Sequence, residues 1–261
     1  MNLFSMLATS VKSVFTIAGR ELRSFFNTTI GWLVLAGFLL LTGIFWSSMV
    51  RFYVQQSTDV VANPYAASYM NFTDYLLAPF FGNTAVVLLL LCPALSMRLF
   101  SEEMKQGTLE LLLTSPVSTF EIVLGKYLGD IGIVAAMMIG TFMVPLSLYI
   151  WGEPDMGAFI GGYAGLMLIA SATIAMGMMF SAFTQNQLGA LDLALSGALA
   201  LWVISWVSQS PDNLFEQLAM ISHVEDLIKG VVKVSDLGYF AAFIGFFVFA
   251  TWQRVESYRW R

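Results

Sequence analysis

The sequence contains few charged residues and almost no cysteine or histidine. Only 11% of its 261 residues are charged, and it has one cysteine and one histidine. Soluble domains carry about 25% charged residues, so this composition excludes an ordinary soluble enzyme or binding module. The lone Cys92 excludes a disulfide framework. The lone His223, with scattered acids, is too little for a metal site, so we expect no bound metal.

A phosphate-binding loop is also missing. The pattern G-x-x-x-x-G-K-[ST] occurs nowhere in the chain. Gly125 and Lys126 are followed by Tyr127, and no suitably spaced glycine precedes them. Because ATP hydrolysis needs such a loop to hold the phosphates, we expect no catalytic residue and no bound cofactor on this chain.

Long apolar runs are what the sequence does contain. Hydrophobic residues make up 58% of the chain, and the mean hydropathy is +0.76. About 20 apolar residues in a helix cross the hydrocarbon core of a bilayer. The runs cover residues 30–50, 84–99, 120–151, 158–183, 188–207 and 237–252. They predict an all-α integral membrane protein with six transmembrane helices in one domain, residues 1–261. The polar and aromatic residues 51–82 are expected to form an extramembrane loop.

Basic residues are distributed unevenly between the two predicted membrane sides. Six spans place both chain ends on one side. On that side lie Lys12, Arg20, Arg23, Arg98, Lys105, Lys126, Arg254, Arg259 and Arg261, whereas Arg51, Lys229 and Lys233 lie opposite. Cytoplasmic loops of membrane proteins are enriched in lysine and arginine. We therefore expect both termini and residues 101–119 in the cytoplasm.

The N-terminal region, residues 1–29, has the pattern of an amphipathic helix. Its apolar positions recur at helical spacing, namely Val11, Val14, Phe15, Ala18, Leu22 and Phe25, and its polar positions are Lys12, Ser13, Thr16, Arg20 and Arg23. Such a helix with a basic face suits an anionic membrane surface. The alternative is a solvated first turn of a longer span, and it is less favoured because Asn27, Thr28 and Thr29 interrupt the pattern.

The longest charged interruption is residues 101–130, SEEMKQGTLELLLTSPVSTFEIVLGKYLGD. Gly107 is expected to break the helix that leaves the second span. Residues 108–114 then form a short helix, which Pro116 helps to end. Ser118 and Glu121 have the spacing of a capping box at the start of a new helix. The stretch is therefore predicted to be a helix, a short transverse helix and another helix.

Leucines dominate the short helix. Leu109, Leu111, Leu112 and Leu113 are too apolar for a free cytoplasmic loop, which predicts burial in the membrane surface or in a partner. Burying three leucines contributes roughly 5 to 8 kcal/mol before ordering costs. The charged residues around them are Glu102, Glu103, Lys105 and Glu110. We therefore expect a docking element here.

A second amphipathic segment lies between the fifth and sixth spans, residues 210–236. Ser210 and Pro211 have the pattern of a helix start. Leu214, Leu218, Ile221, Leu227 and Ile228 form its apolar stripe. It either packs on or enters the outer leaflet, or is a plain surface helix held by a pair between Glu225 and Lys229. His223 is expected to be a solvated surface residue.

Two acids lie within or beside spans, Asp130 and Asp192. Intramembrane acids are candidates for function because they are costly to bury. Both sit near the cytoplasmic ends of their helices, and Lys126 is one turn from Asp130 as a partner. The structural interpretation is favoured. The alternative function is an ATP-independent secondary transporter or channel that uses both acids, and a membrane enzyme is a weaker third hypothesis.

The residues 101–118, SEEMKQGTLELLLTSPVS, and 121–129, EIVLGKYLG, carry a resemblance to a known family. So do Arg20-Glu21-Leu22 and Gly31-Trp32-Leu33. Over about residues 15–130 the chain resembles the permease subunits of type-2 ABC transporters, in particular the subgroup of the gliding-motility-associated permease. Beyond that range the likeness is one of span number and spacing.

The resemblance implies two functional elements. The interfacial connecting helix corresponds to residues 11–26, with Lys12, Arg20, Glu21 and Arg23. The coupling helix corresponds to residues 107–113 and docks on an ATPase. The implied coupling residues are Glu102, Glu103, Gly107, Thr108, Leu109, Glu110, Leu111, Leu112, Leu113 and Pro116.

The resemblance also implies the assembly. Two ABC ATPase subunits would bind ATP and magnesium, and a second permease copy or a related permease would complete the pathway in the bacterial inner membrane. The segment after the first span departs from the family pattern, since it is longer than a tight turn; it either binds an accessory protein at the outer face or is family variation. Nucleic acid is not an expected partner. The resemblance does not imply a substrate: apolar spans rich in glycine and methionine fit a lipid-linked or amphiphilic substrate, and they also fit a mechanical complex that moves no solute.

Overall fold

A computed structural model describes residues 3–62, 71–114, 116–152, 154–207 and 217–259. Every regular element in these ranges is a helix. The α-helices are α1 (Leu3–Phe26), α2 (Thr29–Ala62), α3 (Ala78–Ser96), α4 (Ser101–Gln106), α5 (Leu109–Leu113), α6 (Thr119–Thr141), α7 (Met143–Leu146), α8 (Leu148–Trp151), α9 (Met156–Phe183), α10 (Gln187–Val207), α11 (Ser222–Ile228) and α12 (Val234–Arg259). A π-helical turn, Thr73–Leu77, precedes α3.

Six helical segments are long and apolar enough to cross a membrane. They are Thr29–Ser57, Thr73–Gln106, Thr119–Ile150, Met156–Phe183, Gln187–Ile204 and Val234–Arg259. The prediction of an all-α protein with six spans is confirmed. Pro93 is buried inside α3, as a proline can be where neighbouring helices surround the backbone.

The connection between the first two spans is more helical than predicted. The expectation of a loop over residues 51–82 is wrong for most of that range, because α2 continues to Ala62 and the π-helical turn begins at Thr73. Aromatic contacts hold the first part of this extension. The ring of Tyr53 stacks on Phe72 at 5.2 Å and meets Tyr75 edge-on at 6.5 Å. These rings hold α2, at Tyr53, against the turn that leads into α3.

The centre of the bundle is α9, which packs against α3, α6, α10, α11 and α12. Small residues on α9 allow this close approach. A Cβ atom at Gly177 would lie 2.0 Å from the Ser96 hydroxyl oxygen of α3, and one at Gly162 would lie 2.2 Å from the Phe81 ring. Neither position can accept a larger side chain unless the facing side chain of α3 shifts.

The segment that precedes α12 packs on the bundle rather than lying free. Val224 and Leu227 of α11 are buried, and a Cβ at Gly161 of α9 would lie 2.1 Å from the Leu227 carbonyl oxygen. The predicted pair between Glu225 and Lys229 is replaced, among the described residues, by an ion pair between Asp226 and Lys233. Ser210, Pro211 and Leu214 lie outside the described residues.

His223 is not the solvated residue that the sequence suggested. Its side chain is 18% exposed, and its Nδ1 lies 2.8 Å from the buried Asp236 carboxylate. Its Nε2 lies 3.0 Å from the Gln217 carbonyl oxygen, and its ring stacks on Tyr239 at 4.2 Å. The expectation failed because the partners come from α12 and from the residues before α11, and no spacing in the sequence links them.

We predict that Gly177→Val lowers the thermal midpoint of the purified protein, because overpacking a tight helix contact costs about 1 to 3 kcal/mol. Gly245→Val is the matched control, since a Cβ at Gly245 in α12 meets no atom within 4 Å. Fluorescence-detected size-exclusion chromatography after heating measures both variants. Equal midpoints for the two would contradict the proposed close contact between α9 and α3.

Candidate coupling site

The helical hairpin α4–α5 is formed by a glycine turn. Gly107 adopts φ of 70°, a conformation that glycine accepts without strain. Its amide donates to the Met104 carbonyl at 3.3 Å, and the Thr108 amide donates to the Glu103 carbonyl at 3.0 Å. These two bonds form a Schellman motif, which ends α4 and satisfies its last carbonyls. The predicted helix break at Gly107 is therefore confirmed.

The leucines of α5 face two directions. Leu109 and Leu113, one turn apart, are 5% and 8% exposed and join the main hydrophobic core. Leu111 is 72% exposed, and Leu112 is half-buried. The expectation that all the leucines await a membrane or a partner is corrected for Leu109 and Leu113, which anchor the hairpin to its own chain. Of these leucines, Leu111 is the one whose side chain remains largely exposed.

The polar residues predicted at the site occupy different environments. Gly107, Thr108, Glu110 and Pro116 are exposed around Leu111. Glu102 is half-buried and accepts a hydrogen bond from the Gln106 side chain at 3.3 Å. The hairpin thus presents one leucine surrounded by small and acidic groups.

The helix that follows the hairpin begins with the predicted capping box. The Glu121 amide donates to the Ser118 hydroxyl at 3.3 Å, and the Ser118 amide donates to the Glu121 carboxylate at 3.2 Å. Reciprocal capping of this kind fixes the first residue of α6. The distance between the hairpin and α6 is set by the short connection around Pro116 and Val117.

The N-terminal helix α1 packs along the first half of α6. Cβ atoms at Gly125 and Gly129 would each lie 2.7 Å from side-chain atoms of Ile17 and Glu21, respectively. The contacts advance in the same direction on both helices, so α1 and the start of α6 run side by side. Small residues on α6 permit this approach, as in other tight helix pairs.

This packing changes the interpretation of the amphipathic pattern of α1. Ala18 and Phe25 are buried, and the half-buried Leu22 contacts Gly132 of α6. That part of the apolar stripe therefore faces protein rather than lipid. Val11 and Phe15 remain 54% and 66% exposed, and the predicted basic residues Lys12, Arg20 and Arg23 are exposed as well.

One buried lysine connects three of these helices. The side chain of Lys126 in α6 is 3% exposed, and its ammonium lies 2.8 Å from Glu103 of α4 and 3.4 Å from Glu21 of α1. It also lies over the Phe100 ring at 5.4 Å. Arg20 completes the network with an ion pair to Glu21 at 3.1 Å. Lys126 thus binds the hairpin and α1 to the base of α6.

The network changes the pKa of Glu21. Burial by itself raises the pKa of this carboxyl group, but Lys126 and Arg20 outweigh burial, so the pKa of Glu21 lies below the ordinary value of 4.5. A carboxylate beside two cations keeps its charge more easily than a free one. Glu21 is therefore ionised at neutral pH and contributes to the stability of the folded state there.

A cleft of about 640 Å³ opens between α1, α4, α5 and α6. Its polar wall includes Arg20, Glu21, Arg98, Glu102, Glu103, Lys126 and Asp130, and its apolar rim includes Leu111 and Leu112. The spacing in the sequence suggested Lys126, one turn away, as a partner of Asp130. Among the described residues, the ion pairs of Lys126 go to Glu21 and Glu103 instead. Asp192 is exposed on α10 and does not line the cleft.

The hairpin is also attached to the central helix by Ser181, a residue that no motif in the sequence marks. The Ser181 hydroxyl, on α9, accepts hydrogen bonds from the Phe100 and Ser101 amides, each at 3.0 Å. It donates to the Met97 carbonyl at 2.8 Å. Ser181 therefore binds the junction of α3 and α4. A serine near the end of an apolar run carries no signal that would reveal such a role.

The described residues provide no convergent set of metal ligands, since no group of three His, Cys, Asp or Glu side chains comes together in them. The chemistry available at the hairpin is therefore docking and ion pairing. The site has an exposed apolar contact, a rigid turn, and buried connections to α1, α6 and α9.

Comparison with known proteins places this arrangement in a family. A model described as "ABC-2 family transporter protein" matches residues 15–253. Because that match includes the six spans and the hairpin, the chain belongs to the ABC-2 family of transporter proteins. It is a multi-pass membrane protein of that family.

Two curated relatives share part of the sequence. The chain is 25% identical over 122 residues to the "Probable multidrug ABC transporter permease YbhS" of Escherichia coli strain K12. It shows the same identity over the same length to the protein of that name in Escherichia coli O157:H7. Each match covers 45% of this chain but only 30% of the relative's length.

We predict that Lys126→Met lowers stability by about 3 kcal/mol, because removal of one partner leaves the other charges of a buried pair uncompensated. Glu21 and Glu103 keep about a fifth of their side chains exposed, at 21% and 20%, so the loss stays near the lower end of that range. Lys105→Met is the matched control, because Lys105 is exposed on α4. A thermal midpoint equal to that of the control would contradict the role of Lys126.

The lowered pKa of Glu21 predicts a pH dependence. A depressed folded-state pKa gives stability that is present above the unfolded value near 4.5 and is lost as the pH falls through the folded value. We expect the difference in thermal midpoint between wild type and Glu21→Gln to shrink from pH 7 to pH 4. A difference that stays constant or grows over this range would contradict the assignment.

Proposed function

We propose that this ABC-2 permease subunit receives the motion of a partner ABC ATPase through the α4–α5 hairpin and passes it to its membrane spans. The observation that carries the proposal is the division of the leucines on α5. Leu109 and Leu113 anchor the hairpin in the core, while Leu111 is 72% exposed beside the network of Lys126. An exposed leucine on a firmly held turn is suited to docking.

The connections behind the hairpin support transmission. A force on α5 reaches α6 and α1 through Lys126, because that ammonium holds Glu103 of α4 and Glu21 of α1. It reaches the central helix α9 through Ser181. In this proposal, Glu102, Glu110, Thr108 and Pro116 form the rim of the docking surface, and α1 is the connecting helix.

The proposal includes an assembly. ATP and magnesium bind to two ATPase subunits, and a second permease copy or a related permease completes the pathway in the bacterial inner membrane. Both termini and the hairpin lie in the cytoplasm, as the distribution of basic residues indicates. The gliding-motility-associated subgroup is a part of the proposal that rests on sequence resemblance, and an accessory protein at the outer face rests on the length of the segment between the first two spans.

The substrate in this proposal is an amphiphilic or lipid-linked compound. Curated relatives that share 25% identity with part of the chain are described as probable multidrug permeases, and such a description is compatible with amphiphilic cargo. The alternative of a secondary transporter that uses Asp130 and Asp192 together is less supported. Asp130 is buried in the cleft, whereas Asp192 is exposed on α10 outside it.

We predict that Leu111→Asp abolishes copurification with the ABC ATPase encoded nearest to this chain, because it places a charge on the proposed apolar contact. Leu188→Asp is the matched control, since Leu188 is 71% exposed at the same end of the bundle. Both variants should migrate as folded protein on size-exclusion chromatography. Undiminished ATPase binding by Leu111→Asp, or equal loss in both variants, would overturn the docking role.

A further inference from the structure

At the end of the bundle opposite the α4–α5 hairpin, an aromatic groove lies between α2 and the start of α3. Its volume is about 480 Å³, which falls within the range of about 300 to 1,000 Å³ for small-molecule sites. Its lining residues are Phe45, Ser48, Met49, Phe52, Asp74, Tyr75, Pro79 and Asn83. Most of this lining is aromatic or apolar, and Asp74 supplies its only charge.

The Asp74 carboxylate has no cationic partner in the part of the chain that the structure describes. Asp74 is exposed at the mouth of the groove, so its carboxylate can pair with a cation that enters from solvent, and the adjacent apolar surface can hold the rest of that ligand. The rings of Phe45, Phe52 and Tyr75 favour the same ligand, since aromatic faces attract cations. The carboxylate and the aromatic rings therefore both favour a positively charged ligand.

The backbone at the groove is unusual. Thr73–Leu77 forms a π-helical turn, in which the Ala78 amide donates to the Thr73 carbonyl. Such turns are rare and occur frequently at functional sites. One extra residue rotates the side chains before it by about 100° relative to those that follow. This turn supplies Asp74 and Tyr75 to the groove.

The turn is held in place by neighbouring contacts. The Thr73 amide donates to the Asn71 side chain at 3.1 Å. Tyr53 of α2 stacks on Phe72, and Trp46 of α2 packs edge-on against Phe80 of α3 at 5.4 Å. The lining groups from the two helices are therefore fixed relative to each other before a ligand arrives, which lowers the entropic cost of binding.

We propose that this groove binds small organic cations that carry an apolar body, with Asp74 as the counter-ion and Phe45, Phe52 and Tyr75 as the apolar walls. A divalent metal does not fit, because calcium requires six to eight oxygen ligands and magnesium about six. An anionic ligand does not fit either, because the Asp74 carboxylate would repel it. The binding chemistry is an ammonium or phosphonium group joined to aromatic or alkyl substituents.

The test uses the purified full-length chain without any ATPase, in a maltoside detergent that has no ammonium group. Equilibrium dialysis measures binding of tetraphenylphosphonium. We expect Asp74→Asn to weaken binding severalfold, because the carboxylate is exposed, with a further loss from one aromatic wall in Phe52→Ala. Asp74→Glu keeps the charge and should retain most of the affinity. Glu225→Gln removes an exposed acid at the same end of the bundle and should leave affinity unchanged.

Two competitors identify the chemistry. Triphenylmethanol, a neutral compound of similar shape, should not displace the phosphonium probe. Displacement by dihexanoyl phosphatidylcholine would support the same ammonium chemistry with a lipid headgroup as its source, and the lack of it would support a free organic cation. The proposal is overturned if Asp74→Asn binds like wild type, if Asp74→Asn and Glu225→Gln lose affinity equally, or if triphenylmethanol competes equally well.

This binding measurement is independent of the ATPase. Failure of cation binding would leave the docking role of Leu111 intact, and failure of ATPase docking would leave the groove intact. The two results therefore test different parts of the molecule.

Discussion

The ion pairs of the buried Lys126 are the interaction on which the arrangement at the hairpin depends. A lysine with a side chain 3% exposed is tolerated only when its charge is matched. Glu103 and Glu21 provide that match from two different helices, at 2.8 Å and 3.4 Å. The cost of separating these charges fixes α1, α4 and the start of α6 relative to one another. Glycines on α6 allow the helices to approach closely enough for the pairs to form.

Because these ion pairs hold the three helices together, the position of the exposed hairpin is coupled to the positions of α1 and α6. Leu111 would be an unremarkable surface leucine on a mobile loop, but here it projects from a turn anchored by Leu109, Leu113 and the Schellman motif. Ser181 extends the connection to α9, the most buried of the spans. Packed cores transmit displacement because they have low compressibility. The hairpin, α1 and the base of α6 therefore form one unit at the end of an ABC-2 family membrane protein.

Local patterns were the part of this structure that could be predicted from the sequence. The break at Gly107 and the capping box at Ser118 depend on residues within one turn of each other, and the spans depend on continuous apolar runs. The partners of Lys126 and His223 could not be predicted, since they depend on packing. Glu21 lies 105 residues from Lys126. The burial of Leu109 and Leu113 could not be predicted either, because it depends on their packing against the main hydrophobic core.

In the proposed coupling mechanism, the hairpin and α1 move as one body when a partner ATPase binds ATP. Spin labels at Glu110 of α5 and Arg23 of α1, both exposed, can report it in a Cys92→Ala background by pulsed electron paramagnetic resonance. We expect their separation to stay unchanged between the nucleotide-free and the ATP-bound complex, and we expect Lys126→Met to broaden or shift it. A change in this separation on ATP binding in protein that retains Lys126 would show that the hairpin and α1 do not move as one body.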